Sequence, residues 1–157
     1  MDFIESFQFM SSSLEKLVDN LAKEGSQKFN HMKEHFGDEH IPLLLKKQIY
    51  PYEYFDSCDK FKEQELPPIE AFYRTLSGEG ITYDDYGHAQ MIWQEFNLQT
   101  LGQYHDLYVL TDVLALADIF ENFRDIFLNY HGLDAAHFYT SPGLAWQAAL
   151  KMTGVKL

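Results

Sequence analysis

One long amphipathic helix dominates the pattern of this sequence. Between residues 104 and 130, apolar side chains recur at alternating steps of four and three, which is the spacing of one face of an α-helix. We therefore predict a helix that turns this stripe towards the core. The predicted core-facing residues are Val109, Val113, Leu116, Phe120, Phe123, Phe127 and Tyr130.

Asp112 lies within this apolar stripe, whereas the carboxylates of an amphipathic helix are expected on its solvent-facing side. Tyr108 precedes it by four residues, so the phenol and the carboxylate can address a common site. A partly buried carboxylate needs a partner, and a metal ion is a common one. By contrast, Asp118, Glu121 and Asp125 project to the opposite side and are predicted to face solvent.

The remaining patterns predict shorter helices and one strand. The alternation of apolar and polar residues at positions 3–9 is typical of a β-strand with one buried face. Residues 41–55 lack clean periodicity and are predicted to form an ordered, aromatic-packed connection. The predicted helix boundaries are a capping box at residues 12–15, an end near Gly25, an N-cap at Thr82, a stop at Gly132, and a last helix from Ser141 to Gly154.

Composition and charge exclude several classes of protein. The 157 residues, 46% of them hydrophobic, can supply one sizeable core. A net charge of −12 argues against tight binding of nucleic acid by this chain alone, because tight binding requires Lys and Arg side chains that neutralise phosphates. The single cysteine, Cys58, excludes an internal disulfide framework. Because no membrane-spanning run or signal peptide is present, we expect a soluble, intracellular protein that is not secreted.

Several short stretches of the sequence carry a resemblance to a known family. They are QIYPYEYFDS at residues 48–57, LPP at 66–68, YHDLYVLTD at 104–112, ENFR at 121–124 and YTSPGLAW at 139–146. Over nearly its whole length the chain resembles the protein-primed family B DNA polymerases. The resemblance is greatest to those of Polinton-type self-synthesising transposons and related viruses.

The resemblance implies a catalytic role for two residues of the long helix. In that family the 3′-to-5′ proofreading exonuclease domain has a ribonuclease H-like fold, and its third motif is Y-x-x-x-D. Tyr108 and Asp112 match this motif. The family pattern implies that Asp112 helps to hold a divalent metal, Mg²⁺ or Mn²⁺, while Tyr108 helps to orient the attacking water. Such hydrolysis needs several carboxylates that converge on two metal ions.

The other motifs of the family do not occur in this sequence. The D-x-E motif and the second Asp motif of the exonuclease are missing before residue 108, and the polymerase motifs D-x-x-S-L-Y-P and Y-x-D-T-D are missing as well. We therefore expect an α/β, helix-rich fragment of a ribonuclease H-like exonuclease domain. Residues 1–130 would be its C-terminal part, and residues 131–157 the start of the connection to the polymerase. The isolated chain is expected to be inactive.

The resemblance also implies the partners of the chain. They are DNA in the complete polymerase, the polymerase and N-terminal exonuclease segments, and a priming protein, with no membrane involved. The expected location is the nucleus or a site of viral replication.

Two other functions remain open. His31-Met-Lys-Glu34-His35 matches the H-x-x-E-H pattern of inverted zincins, in which two histidines bind zinc and the glutamate is the general base. Alternatively, the chain is a non-catalytic interaction module that binds another protein through the edge of the predicted strand and an aromatic surface.

Overall fold

The computed structural model describes residues 5–155, and most of these residues lie in helices. Short 3₁₀ helices separate the longer elements, and the described residues contain one isolated antiparallel bridge, between Arg74 and Glu79. Residues 5–155 form six α-helices, which are α1 (Leu14–Glu24), α2 (Asn30–Phe36), α3 (Ile41–Leu44), α4 (Tyr83–Glu95), α5 (Leu101–His131) and α6 (Ser141–Thr153). The prediction of a helix-rich chain is confirmed. The described part of the chain is 64% helical with almost no strand, which does not fit a full α/β ribonuclease H-like fold.

The strand predicted at residues 3–9 is wrong for the residues that can be described. Residues 1–4 of the sequence lie outside the described part, and Ser6–Gln8 form a 3₁₀ turn. Phe9 is buried and packs edge-on against Phe120, with ring centroids 5.9 Å apart. Its apolar surface is therefore covered by aromatic packing and not by a neighbouring strand.

The chain divides into two compact units, and α5 contributes residues to both. Unit 1 comprises the residues up to Gly37 together with those from Leu114 onwards, and unit 2 comprises Asp38–Val113. The predicted boundary at residue 130 concerns the domain arrangement of the family and stays a prediction.

Unit 1 has an aromatic core. Its buried members are Phe9, Ala135 and Leu144. The partly buried side chains packed on them are Met10, Phe120, Phe123, Phe127, Leu133 and Phe138. Arg124 of α5 forms an ion pair with Asp134 at 2.7 Å. The same Asp134 caps the 3₁₀ helix at Ala135–His137, so this ion pair ties that short helix to α5.

The predicted helix boundaries are largely confirmed. Ser13, one residue later than the predicted start of the capping box, accepts a hydrogen bond from the backbone of Lys16 and begins α1. Thr82 forms a capping box with Asp85 at the start of α4. Gly132 ends α5 with a φ of 63°, in the left-handed region that glycine adopts at little cost.

The predicted stripe on α5 is confirmed only in part, because Phe120, Phe123 and Phe127 pack against the core of unit 1. Val109, Val113 and Tyr130 are exposed instead of buried. The buried residues of the helix are Leu101, Tyr104, Leu107, Thr111, Ala115, Asp118 and Ile119. This face also follows steps of three and four. It includes two polar residues, Thr111 and Asp118, so the spacing of apolar residues alone does not predict it.

Within residues 5–155, no helix combines the length and the hydropathy that a membrane span requires.

The prediction that Asp118 faces solvent is wrong, because only 2% of this residue is exposed. Its carboxylate accepts hydrogen bonds from the backbone N–H groups of His31 at 2.8 Å and Met32 at 3.1 Å. It also meets the ring Nδ1 of His31 at 2.8 Å. Backbone N–H groups in the first turn of a helix have no acceptor within that helix, so Asp118 caps α2 from a distant part of the sequence.

We expect Asp118→Ala to lower the free energy of unfolding by about 1–3 kcal/mol, because it leaves buried donors of α2 without an acceptor. Urea unfolding followed by circular dichroism measures this change. Asp125→Ala removes an exposed acid of the same helix and should change the unfolding free energy by less than about 0.5 kcal/mol. Equal effects of the two substitutions would contradict the capping role.

Candidate functional site

Tyr108 and Asp112 lie in unit 2, beside a cluster of aromatic side chains. Tyr50 is buried at the centre of this cluster and stacks on Tyr108, with ring centroids 4.7 Å apart. It also stacks on Phe55 at 5.1 Å, and its hydroxyl meets Nδ1 of His105 at 2.7 Å. The prediction of an ordered, aromatic-packed connection before residue 56 is therefore confirmed.

A buried hydrogen bond anchors this connection on α5. The hydroxyl of Tyr104, which is almost fully buried, donates to the carbonyl oxygen of Ile49 at 2.6 Å. Burial raises the pKa of Tyr104, so the phenol keeps its proton and remains a donor. Tyr108 follows one helical turn later, and its ring therefore meets the same connection.

Tyr52, Tyr108 and Asp112 lie close together. The hydroxyl oxygens of the two tyrosines are 2.6 Å apart, and either hydroxyl can be the donor. Tyr108 and Asp112 also affect each other's pKa through a side-chain hydrogen bond. An ionised carboxylate only accepts hydrogen bonds, so Tyr108 is the donor towards Asp112 when that acid is charged.

The surroundings of Asp112 oppose its ionisation. Burial raises the pKa of this carboxyl, and the hydrogen bond from Tyr108 offsets part of that rise. Burial also raises the pKa of Tyr108, with smaller contributions from its bond to Tyr52 and from the nearby Asp112. Tyr108 therefore remains a neutral donor. A perturbed acid held next to a specific partner is typical of functional sites.

The described residues do not by themselves fit the two-metal centre that the resemblance implies. Asp112 offers carboxylate oxygens of the kind that Mg²⁺ and Mn²⁺ bind. Within residues 5–155, however, no three His, Cys, Asp or Glu side chains are gathered so that they could hold a metal ion. A centre of that kind needs several converging carboxylates.

The H-x-x-E-H motif lies in unit 1, on α2. His31, Glu34 and His35 are all exposed, and the ring of His31 is held by Asp118. A zinc hydrolase holds its metal with three protein ligands, and no such group is gathered in the described part of the chain. The geometry gives no support to hydrolysis at this motif.

Tyr52 was not predicted from the sequence as a partner of Tyr108. The two residues are 56 positions apart, and only the tertiary structure brings their hydroxyls together. Tyrosines at the alternate positions 50, 52 and 54 were the available signal. That spacing indicated aromatic packing but could not indicate which helix the rings would meet.

Comparison with known proteins gives no match for this chain. No protein-family model matches the sequence. Searches of curated proteins and of solved structures likewise find no match. The family resemblance depends on the stretches of sequence described above and stays a prediction.

We expect Asp112→Asn to raise the free energy of unfolding near neutral pH, because burial opposes a charged carboxylate and the amide carries no charge. The folded-state pKa of Asp112 lies above its unfolded value. Its contribution to stability is thus fully present below the unfolded pKa and is lost as the pH rises through the folded pKa. The increase in the free energy of unfolding caused by Asp112→Asn should therefore vanish in acid. Urea unfolding across this pH range measures the difference.

Asp106→Asn is the matched control for that measurement, because Asp106 is an exposed acid of the same helix. It should change stability little at any pH. A variant Asp112→Asn that is less stable than the unmodified protein at every pH would contradict the expectation.

We expect Tyr108→Phe to raise the pKa of Asp112 further, because the hydrogen bond from Tyr108 lowers it. A carbon-detected NMR titration of the carboxyl groups measures this value. Tyr86→Phe removes a hydroxyl that bonds to the carbonyl of Pro67 and should leave the Asp112 titration unchanged. A fall in the pKa of Asp112 in the Tyr108 variant would contradict the donor assignment.

Proposed function

We propose that this chain is the later part of the 3′-to-5′ proofreading exonuclease region of a protein-primed family B DNA polymerase and acts in DNA replication. The contact between two segments that carry the resemblance gives the main support. Residues 48–57 and 104–112 pack together, and the hydroxyls of Tyr52 and Tyr108 are 2.6 Å apart. Tyr108 of the Y-x-x-x-D motif thus lies at the contact between the two segments, one helical turn before Asp112.

Within this proposal, Asp112 is a metal-site acid and Tyr108 positions the attacking water. The raised pKa of Tyr108 supports its role, since a phenol that keeps its proton can hold a water molecule by hydrogen bonding. The partial burial of Asp112 supports the other role, because water screens a half-buried charge less than an exposed one. The proposed cofactor of the complete domain is Mg²⁺ or Mn²⁺.

We propose that hydrolysis requires carboxylates from outside residues 5–155, and that the isolated chain neither polymerises nor hydrolyses DNA. The net charge of −12 agrees with this division, because DNA would have to be held by basic surfaces elsewhere in the polymerase. The proposed partners are DNA, the remaining polymerase segments and a priming protein.

The test uses the protein encoded by the longest reading frame that contains this sequence. Asp112→Ala should lower removal of a mismatched primer terminus by about 100-fold or more, as expected when a metal-site acid is lost. Primer extension should be retained. Asp106→Ala, on the same helix but exposed, is the control and should keep both activities.

Two results would refute the proposal. One is unchanged proofreading after Asp112→Ala. The other is a complete reading frame with neither D-x-E upstream nor D-x-x-S-L-Y-P downstream of this chain.

Exposed aromatic side chains of unit 1 favour a second candidate function, a non-catalytic interaction module. Trp146 of α6 is 57% exposed, and Tyr139 and Met152 are more exposed still. Clustered exposed apolar residues mark binding surfaces, although single ones are common. The edge of the strand predicted at residues 3–9 first suggested this module, but Ser6–Gln8 form a 3₁₀ turn instead. This candidate predicts that Trp146→Ser weakens binding to a polymerase segment, whereas Asp112→Ala changes nothing.

A further inference from the structure

Two histidines on α2 form a pair that the proposed function does not use. His31 and His35 are four residues apart in the helix Asn30–Phe36, and both are exposed. Side chains at this spacing are neighbours on the helix surface. The ring of His35 also contacts the ring of Phe36, with centroids 4.7 Å apart.

Asp118 fixes the ring of His31. Nδ1 of this histidine lies 2.8 Å from Oδ1 of Asp118, and the same oxygen accepts the backbone N–H of His31. An ionised carboxylate only accepts hydrogen bonds, so the Nδ1 nitrogen that meets it carries the proton. In the neutral ring the free lone pair then lies on Nε2, the nitrogen that can bind a metal ion.

The exposure of the two side chains matches this orientation. The side chain of His31 is 47% exposed, whereas that of Asp118 is 1% exposed. Nearly half of the His31 side chain is therefore open to solvent, although the carboxylate beside it is buried. A histidine whose second nitrogen donates to a carboxylate is the usual arrangement around a bound metal, since the carboxylate fixes the tautomer and the ring orientation.

The charge around the pair favours a cation. Glu34 is exposed between the two histidines, and the chain as a whole carries a net charge of −12. The nearby Lys28 already interacts with Glu24 at 3.9 Å and with Asn122 at 3.0 Å. An approaching divalent ion therefore meets Glu34 and the negative charge of the whole chain, opposed by Lys33 on the same helix.

We propose that His31 and His35 bind a divalent transition-metal ion, with Nε2 of His31 as one ligand and Asp118 as the carboxylate that orients it. Imidazole suits Cu²⁺, Ni²⁺ and Zn²⁺ better than Mg²⁺, and Cu²⁺ should bind most tightly. Because no three ligating side chains are gathered within residues 5–155, water completes the coordination and binding is reversible. This site belongs to unit 1 and does not depend on the function proposed for Tyr108 and Asp112.

The test is isothermal titration of the purified chain with CuCl₂ and with ZnCl₂. We expect one saturable site, with Cu²⁺ bound more tightly than Zn²⁺. His31→Ala and His35→Ala should each abolish it. His137→Ala, which removes an exposed histidine outside α2, should leave it intact. Asp118→Asn should weaken binding by about 10- to 100-fold, as is typical when the carboxylate behind a metal-binding histidine is lost.

Four outcomes would overturn the proposal: no saturable binding, unchanged binding in both alanine variants, loss in only one of them, or an equal loss in His137→Ala. Circular dichroism of each variant checks that the helices remain. If Asp118→Asn unfolds α2, the alanine variants still decide the question, because alanine is a strong helix former and the carboxylate cap stays in place.

Discussion

The carboxylate of Asp118 has to be satisfied inside unit 1, and the first turn of α2 supplies the donors. The two backbone N–H groups and the ring of His31 meet it within 3.1 Å. This contact joins residues that are more than 80 positions apart and sets which side of α5 is covered there. Several other features depend on it: the start of α2, the tautomer of His31, and the direction in which the other ring nitrogen points.

Features with a local chemical cause could be predicted from the sequence. The N-caps at Ser13 and Thr82 and the glycine that ends α5 each depend on groups within a few residues. The face of α5 could not be predicted in the same way. Two stripes on that helix have helical spacing, and the buried one includes Thr111 and Asp118. Only their partners, the Leu107 carbonyl and the start of α2, make their burial favourable.

The candidate site could likewise be predicted from the sequence only in part. The spacing of Tyr108 and Asp112 was enough to place them on one side of a helix, and the partial burial of both agrees with that placement. The hydrogen bond between Tyr52 and Tyr108 is a long-range contact and leaves no local pattern in the sequence. Burial keeps Tyr108 neutral and makes ionisation of Asp112 costly. Burial thus opposes ionisation of both groups.

The order of the segments along the chain affects how the protein can fold during synthesis. Unit 2 is one continuous stretch, Asp38–Val113, whereas unit 1 is assembled from segments on either side of it. A ribosome therefore completes all of unit 2 before it makes the second half of unit 1. Until Asp118 has emerged, the first turn of α2 has no carboxylate to cap it. Unit 1 must therefore bring together segments that are separated in the sequence by more than 70 residues, and closing that loop costs conformational entropy.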